Sequence, residues 1–116
     1  MRVVQKACAC VVRGAGDLAE LLVFDHPTAG TQLPKGTVEP CEQPAQAVLR
    51  ELAEETGLLD PGGPRLLGVW TRTAGAGPEE AGTLEEHDWF VFRIDADSSL
   101  PDAWAHAATG SAEEEG

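Results

Sequence analysis

Positive charge is scarce in this 116-residue sequence, which has eight Lys and Arg against 20 Asp and Glu and a formal net charge of −12. A surface this acidic repels a phosphate backbone at long range, which excludes general coating of DNA or RNA. Clustered carboxylates, by contrast, attract divalent cations, and these mediate the binding of small phosphorylated ligands. The composition therefore excludes extended nucleic acid as a partner and leaves small phosphates open.

Long apolar runs are also absent. No stretch approaches the ~18 apolar residues that a membrane-spanning helix needs, and no basic start followed by an apolar core resembles a signal peptide. We therefore expect a cytoplasmic protein with no membrane partner. The length predicts a single domain over residues 1–116, with an acidic tail from about residue 105 to residue 116.

Cysteine is infrequent, and its spacing does not suit a metal site. Cys8 and Cys10 lie two residues apart in an apolar run, where a strand places both on one face. With Cys41 the total is three, so they cannot all pair within one chain, and no Cys/His quartet completes a zinc site. We interpret all three as packing residues in a reducing compartment. His26, His87 and His106 have no ligand spacing and are interpreted as loop or surface residues.

The remaining sequence predicts strands around one helix. The predicted strands cover residues 3–12, 20–25, 66–73 and 88–94, with a hairpin between the first two and a short extended piece at residues 37–38. Loops are predicted at residues 26–30, 60–64 and 74–86. A helix is predicted from Pro44 to Thr56. Pro44 suits the first helical position, apolar residues recur at intervals of three and four residues, and Gly57 ends the pattern.

Residues 36–58 carry a spaced pattern of glycine, arginine and glutamate. Gly36 is followed after five residues by Glu42 and, after seven more, by the run RELAEETGL that begins at Arg50. On the predicted helix, the glutamates of this run (51, 54 and 55) are three and four residues apart. All three carboxylates therefore project from one side of the helix.

Like charges in this arrangement destabilise a helix, and they lie toward its C-terminal end, where the helix dipole disfavours anions. Arg50 can pair with Glu54 at i,i+4, but one cation does not neutralise the whole cluster. Hard divalent ions such as Mg²⁺, which take oxygen ligands, do so. The alternative is an ordinary solvated acidic face, because the chain has further Glu runs at residues 79–80, 85–86 and 113–115.

The segment from Gly36 to Leu58 matches every specified position of the Nudix box, and the chain therefore resembles the Nudix hydrolases. The resemblance implies an α/β fold, an α/β/α sandwich around a mixed sheet. It also implies Mg²⁺- or Mn²⁺-dependent hydrolysis of a nucleoside diphosphate linked to another moiety. Nudix domains normally continue into a further strand and a C-terminal helix, so we expect the C-terminal part of this fold to be shortened or the chain to be a fragment. A fragment would expose a sheet edge and favour a homodimer.

The resemblance also implies roles for individual residues. Glu51, Glu54 and Glu55 would bind the metal together with a main-chain carbonyl at Lys35 or Gly36. Glu51, or a group across the site, would help to deprotonate water. A further glutamate often comes from outside the box, and the candidates are Glu85, Glu86 and residues 113–115.

Three box residues would shape the site. Arg50 would hold the loop and the helical glutamates by ion pairing and belongs to the implied catalytic set. Glu42 would support the loop, and Gly57 would permit the turn after the helix.

The residues before the box read Leu-Pro-Lys-Gly, where many Nudix boxes have Pro-Gly-Gly. This variant resembles the dinucleoside polyphosphate hydrolases, and Lys35 would place a mobile cation beside a phosphate chain. Lys6 and Arg72 are the other candidate substrate-binding cations. The expected substrate is a dinucleoside polyphosphate, and nucleoside triphosphates or nucleotide sugars are the alternatives. Alternatives of another class are a nucleotide-sensing module without turnover and an acidic interaction domain with a fortuitous box.

Tryptophan is the last candidate for substrate contact. Trp70, Trp89 and Trp104 can each stack a nucleobase, but a large aromatic residue in a strand is more often part of the core. We therefore predict core positions for the strand tryptophans. Trp104 is the only aromatic anchor of the C-terminal tail.

Overall fold

A mixed β-sheet with one helix on its face forms the fold, in a computed structural model that describes residues 1–59, 61–75 and 82–107. In chain order the elements are β1 (Arg2–Arg13), a 3-10 turn (Gly16–Leu18), β2 (Glu20–Leu21), β3 (Phe24–His26), β4 (Gly30–Gln32), β5 (Lys35–Thr37), α1 (Pro44–Thr56), β6 (Arg65–Gly75) and β7 (Leu84–Asp95). The five-stranded sheet has the order β2-β1-β7-β6, and β5 also pairs with β1. β1 and β7 are parallel, while the other pairs are antiparallel, which confirms the expected mixed sheet.

The core lies between α1 and one face of the central strands. Ala7, Ala9 and Val11 of β1 are in register with Phe90, Phe92 and Ile94 of β7. Because side chains alternate along a strand, these residues share one face. The helix covers this face with Ala47, Val48 and Leu52, all of them buried. The small alanines of β1 leave room for the helix to approach the sheet closely.

The helix begins and ends where the sequence predicts. Pro44 is its first residue, and Gln43 and Gln46 exchange hydrogen bonds between side chain and main chain at the N-terminus. At the C-terminus Gly57 adopts φ 77° and donates its N–H to the Ala53 carbonyl at 2.9 Å. Glycine takes up this left-handed conformation without a Cβ penalty. The buried side of the helix also includes Glu51, which the apolar pattern did not predict.

The predicted strand at residues 20–25 is wrong as a single element. The hairpin of β1 with β2 forms, and the Leu22 N–H still donates to the Val11 carbonyl at 2.9 Å. After Leu22 the chain leaves the main sheet, and β3 pairs with β4 in a separate two-stranded sheet. The predicted loop at residues 26–30 is thus the turn of this second hairpin.

The two long strands reach into the predicted loop at residues 74–86. β6 continues to Gly75 and β7 begins at Leu84, and the residues between 75 and 82 lie outside the described part of the chain. The predicted core position of Trp70 is wrong, since 57% of this residue is exposed. The reason is the strand order: β6 is an edge strand, and α1 packs on β1, β5 and β7.

One helical layer of the expected sandwich is present in the described residues. α1 is the α-helix found in this part of the chain, and described residues 96–107 contain neither helix nor strand. The terminal segment is nevertheless attached to the domain. The Arg13 guanidinium donates to the Leu100 carbonyl and to Asp102, and the Trp104 indole N–H donates to the Thr56 carbonyl at 2.6 Å. Trp104 is therefore an anchor, as predicted.

No helix within the described ranges is both long enough and apolar enough to cross a membrane.

Substitution of Leu52 tests the core. Its side chain is fully buried between α1 and the sheet, so Leu52→Ala is expected to lower the free energy of unfolding by about 2–5 kcal/mol. Urea denaturation followed by circular dichroism measures this loss. Leu66→Ala, at a residue that is 50% exposed, is the control and is expected to cost about 1 kcal/mol or less. Equal losses in the two variants would contradict this position of the core.

Candidate active site

The segment of residues 35–43, which includes β5 and leads into α1, is called the loop below. Gly36 is where this loop comes closest to the helix. It lies in β5 opposite Ala7, on the sheet face that carries α1. The Glu51 side chain, 1% exposed, lies directly over it. A Cβ atom built on Gly36 would be 2.0 Å from Glu51 Cδ and 2.2 and 2.4 Å from its two carboxylate oxygens. Only glycine leaves room for this carboxylate.

Arg50 connects the helix to the loop. Its guanidinium forms a two-pronged bond with Glu42, from Nε to Oε2 at 2.8 Å and from Nη2 to Oε1 at 3.0 Å. Nη1 donates to Glu51 Oε1 at 2.8 Å and lies 3.3 Å from Glu54 Oε2. Nη2 also donates to the Thr37 carbonyl at 3.0 Å. The predicted i,i+4 pair with Glu54 is thus present as one contact among several.

The surrounding carboxylates fix the charge of this arginine. Hydrogen bonding to Glu42, and then to Glu51, raises the pKa of Arg50 above its ordinary value, although burial opposes the shift. Glu39 lies 3.6 Å from the same guanidinium. Sequence reasoning missed Glu39, which is outside the specified positions of the box. It also missed the Thr37 carbonyl, because a main-chain acceptor has no signal in the residue pattern.

Glu42 supports the loop, as expected from its position in the box. Its Oε1 accepts the Glu39 N–H at 2.9 Å, and its carboxylate binds Arg50. The hydrogen bond from Arg50 lowers the pKa of Glu42, and the Glu39 N–H contributes in the same direction. The carboxylate is therefore ionised at neutral pH and holds the arginine in place.

Glu55 joins the helix to the other side of the loop. Its Oε1 accepts the main-chain N–H of Lys35 at 2.8 Å. The three helical glutamates thus surround the loop: Glu51 lies over Gly36, Glu54 lies beside Arg50, and Glu55 lies against Lys35. The predicted metal-binding side chains and the main chain of residues 35–36 are therefore neighbours in the fold.

The chemistry of these groups fits a hard divalent cation. Carboxylate and carbonyl oxygens are the ligands that Mg²⁺ prefers, and Gly36 leaves space where a side chain would fill the cradle under Glu51. In residues 1–59, 61–75 and 82–107, no three His, Cys, Asp or Glu side chains already stand at metal-binding spacing. Such preassembly is not required, since Mg²⁺ binds through one or two carboxylates and completes its shell with water and substrate phosphates.

Two of the three predicted substrate-binding cations lie beside the loop. Lys6 Nζ donates to Thr37 Oγ1 at 2.8 Å, and Lys35 pairs across the strands with Cys8. Burial lowers the pKa of Lys6, against the opposing effect of Glu85. Lys35 Nζ lies 5.6 Å from the centre of the Trp89 ring, on the sheet face away from α1. Lys6 and Lys35 therefore form one positive group.

Arg72 lies apart from this group. It is an exposed residue of the edge strand β6, in register with His87 of β7, while Lys6 lies on β1 beyond β7. Neighbouring strands are about 4.8 Å apart, so two strand spacings separate Arg72 from the β1 side chains. The described geometry does not bring Arg72 together with Lys6 and Lys35.

Glu85, a candidate glutamate outside the box, acts on this positive group, since its charge opposes the lowering of the Lys6 pKa by burial. It is buried, its carboxylate contacts the Arg2 guanidinium, and its Oε1 lies 3.1 Å from His87 Nε2. The contacts with His87 and then Arg2 lower the pKa of Glu85. Glu86 has the opposite orientation on β7, because successive strand residues alternate between faces. Residues 113–115 lie outside the described chain.

The expected surface position of His87 is wrong, since it lies within β7 with a mostly buried side chain. The sequence contained no direct signal for its contact with Glu85, because the strand begins four residues earlier than predicted. His26 does lie at a turn, where its Nδ1 contacts the N–H groups of Thr28 and Ala29. His106 is exposed beside Gly57.

The cysteines are all free thiols. Cys8 is buried, and burial raises its pKa to about 11, so the thiol is protonated and unreactive at neutral pH. Burial also raises the pKa of Cys10. The packing interpretation is wrong for Cys41, which is exposed in the turn before α1 with φ 65°.

Adding one methyl group at residue 36 tests the cradle under Glu51. Gly36→Ala is expected to lower the free energy of unfolding by about 1–3 kcal/mol, because the new Cβ displaces the buried carboxylate. Gly63→Ala is the matched control, since a Cβ there meets no atom within 4 Å. Equal stability of the two variants in urea denaturation would show that Glu51 does not lie on Gly36.

The Arg50–Glu42 pair predicts a pH dependence. The folded-state pKa of Glu42 lies below its ordinary value of 4.5, so the pair stabilises the fold above that pH and is lost as the pH falls through the folded-state pKa. Glu42→Gln is expected to cost about 1 kcal/mol at pH 7 after solvent screening, and less at pH 3.5. Urea denaturation of both proteins at the two pH values measures the difference. A difference that does not change with pH would contradict the ion pair.

Comparisons with known proteins agree with this geometry. The sequence model of the NUDIX domain matches residues 4–114. No curated protein matches the chain in sequence. Among solved structures, the Caenorhabditis elegans (C. elegans) Ap4A hydrolase is 22% identical and has a TM-score of 0.59, over 85% of this chain and 74% of that one.

Two further structures share the fold. The MutT protein from Methanosarcina mazei Go1 is 20% identical with a TM-score of 0.61, over 95% of this chain and 74% of that one. The NUDIX domain of Shewanella oneidensis NrtR, complexed with ADP ribose, is 21% identical with a TM-score of 0.53, over 84% of this chain and 64% of that one. At these identities the structures show the fold, while the family match covers most of the chain. The chain therefore belongs to the NUDIX domain family, as the Gly36–Leu58 motif predicts.

Proposed function

We propose that this protein hydrolyses a pyrophosphate bond in a dinucleoside polyphosphate, with Mg²⁺ or Mn²⁺ bound at the loop and helix of residues 35–55. The observation that carries the proposal is the arrangement of the helical carboxylates. Glu51, Glu54 and Glu55 surround a glycine-containing strand end, and Arg50 holds two of them by direct contact. Like charges placed together on a helix are destabilising, and a bound divalent cation would offset their repulsion.

The carboxylates and the main chain of Lys35 and Gly36 would hold the metal. When bound, a divalent ion neutralises phosphate oxygens and lowers the pKa of a coordinated water molecule. Glu51 is buried against Gly36, so its orientation is fixed before substrate arrives. Preorganised charge of this kind contributes most of the stabilisation in phosphoryl transfer.

Arg50 acts on the carboxylates rather than on the substrate. It donates to Glu42, Glu51 and the Thr37 carbonyl, so it holds these groups in fixed positions. A glutamate in the ionised state can accept a proton from the attacking water. Glu51 fits this general-base role by its position, and Glu85 is the candidate outside the box.

Lys35 and Lys6 support a polyphosphate substrate. A dinucleoside polyphosphate carries more negative charge than one or two divalent ions offset, so additional cations near the phosphates lower the repulsion. Lys35 belongs to the Leu-Pro-Lys-Gly segment and lies beside Lys6 across the strands. The likeness to an Ap4A hydrolase structure agrees with this substrate class. Nucleoside triphosphates and nucleotide sugars are the competing substrates of the same reaction.

The alternative of a nucleotide sensor has one supporting observation, the likeness to a NUDIX domain complexed with ADP ribose. This chain retains every glutamate of the box, and a sensor has no need of them. Hydrolysis is therefore the better supported function, and binding without turnover is an outcome of the test.

Substitution of the helical glutamates tests the site. Glu54→Gln and Glu55→Gln are each expected to lower turnover of diadenosine tetraphosphate with Mg²⁺ by about a hundredfold or more, because an amide has no charge to hold the cation. Product formation resolved by anion exchange measures the rate. Glu20→Gln is the matched control, since Glu20 pairs with Arg13 on the surface. Nearly full activity in both active-site variants would contradict the assignment.

The same assay with nucleoside triphosphates and nucleotide sugars identifies the substrate class. The highest kcat/KM is expected for the dinucleoside polyphosphate. A higher kcat/KM for nucleoside triphosphates or nucleotide sugars would identify that class as the substrate. Tight nucleotide binding without any turnover would support the sensor.

A further inference from the structure

A cavity of about 400 Å³ lies next to the candidate active site, between the end of α1, residues 22–25 and residues 102–106. Glu55 and Thr56 form its wall on the helix side. Small-molecule sites commonly have volumes of about 300–1,000 Å³, so the cavity is large enough for a nucleoside. The cavity shares Glu55 with the proposed metal site and is otherwise formed by residues outside the Nudix box.

The C-terminal wall of this cavity is held in place by three contacts. The Trp104 indole N–H donates to the Thr56 carbonyl at 2.6 Å, and the Asp102 carboxylate accepts from Arg13 at 2.8 Å. The His106 ring lies so close to Gly57 that a Cβ there would be 2.7 Å from Nδ1. The cavity therefore exists without a ligand, which lowers the entropic cost of binding one.

The lining combines apolar surface with carboxylates. Phe24 and Trp104 provide aromatic surface, and Leu22 and Val23 provide aliphatic surface. Asp25, Asp102 and Glu55 provide negative charge, and the described lining contains no Lys or Arg. A phosphate inside this cavity would be repelled. A flat aromatic ring with N–H donors fits, because carboxylates accept hydrogen bonds and aromatic side chains stack on it.

We propose that this cavity binds the base of the substrate, a nucleobase that presents N–H donors, with Asp25 as the acceptor at its rim. Asp25 accepts one hydrogen bond, from Thr31 Oγ1 at 2.9 Å, and a carboxylate has room for more. The sugar and phosphates of the same nucleotide would then extend out of the cavity toward the proposed metal site, at the end of the cavity where Glu55 lies. The subsite rests on the proposed function, since a base is expected here only if the neighbouring site processes nucleotides.

Binding of free adenosine to the full chain without divalent metal tests this subsite separately from hydrolysis. The chain has three tryptophans, so ¹⁵N-labelled protein gives three indole N–H signals, and the signal lost in Trp104→Phe belongs to Trp104. Adenosine is expected to shift the Trp104 signal and to leave Trp70 unchanged. Adenosine is also expected to bind about fivefold or more tightly than purine riboside, which lacks the amino group.

Asp25→Asn is expected to remove most of this preference for adenosine. The amide oxygen can still accept from Thr31, but the second carboxylate oxygen is replaced by an NH2 group, which cannot accept a hydrogen bond from the amino group of the base. Asp17→Asn, at an exposed residue of the 3-10 turn, is the matched control and is expected to retain the preference. A shift of the Trp70 or Trp89 signal with Trp104 unchanged, or no shift at saturating adenosine, would overturn the subsite. Metal-dependent hydrolysis would remain intact in that case. Adenosine binding at Trp104 in a protein without turnover would instead overturn the proposed function alone.

Discussion

The guanidinium of Arg50 is the interaction on which the site depends. It is 21% exposed at the side chain and contacts carboxylates of the loop and the helix together with the Thr37 carbonyl. Hydrogen bonds to charged groups contribute about 1.5–3 kcal/mol each, and a buried charge that loses its partner is destabilising by about 3–5 kcal/mol. The planar fork of arginine satisfies several acceptors at fixed angles, which the single ammonium of lysine does not. The position of Glu51 thus depends on a residue that is itself held by the loop.

The small side chains of the sheet also help to fix the position of Glu51. Ala7 and Ala9 are completely buried under α1, and Gly36 is paired with Ala7 at the adjoining edge. Larger residues at these positions would increase the distance between helix and sheet. The carboxylate of Glu51 would then no longer reach the strand end. Close packing of small residues is therefore the structural condition for placing a charged group in the core.

The structural features that could be predicted from the sequence are those encoded by residues close together in the chain. The bounds of α1 follow from Pro44 and Gly57, and the grouping of its glutamates follows from helical spacing. The contact between Glu85 and Arg2 joins residues 83 positions apart, through the parallel pairing of β1 with β7, and no spacing in the sequence encodes it. The core position predicted for Trp70 follows from its being a large aromatic residue in a strand. Whether an apolar strand is central or at an edge depends on the order of the strands, which single-strand patterns do not contain.

Net charge and local charge have different consequences in this molecule. The chain carries −12, yet four of its eight cations, Arg2, Lys6, Lys35 and Arg50, lie on β1, β5 and α1 around the loop. Salt screens exposed charges beyond about 8–10 Å, so the acidic remainder of the surface acts weakly on a ligand already at the loop. An extended polyanion would contact the acidic surface along its whole length, whereas a short polyphosphate would contact only the loop and its surroundings. The same charge distribution therefore disfavours nucleic acid and permits a small phosphorylated substrate.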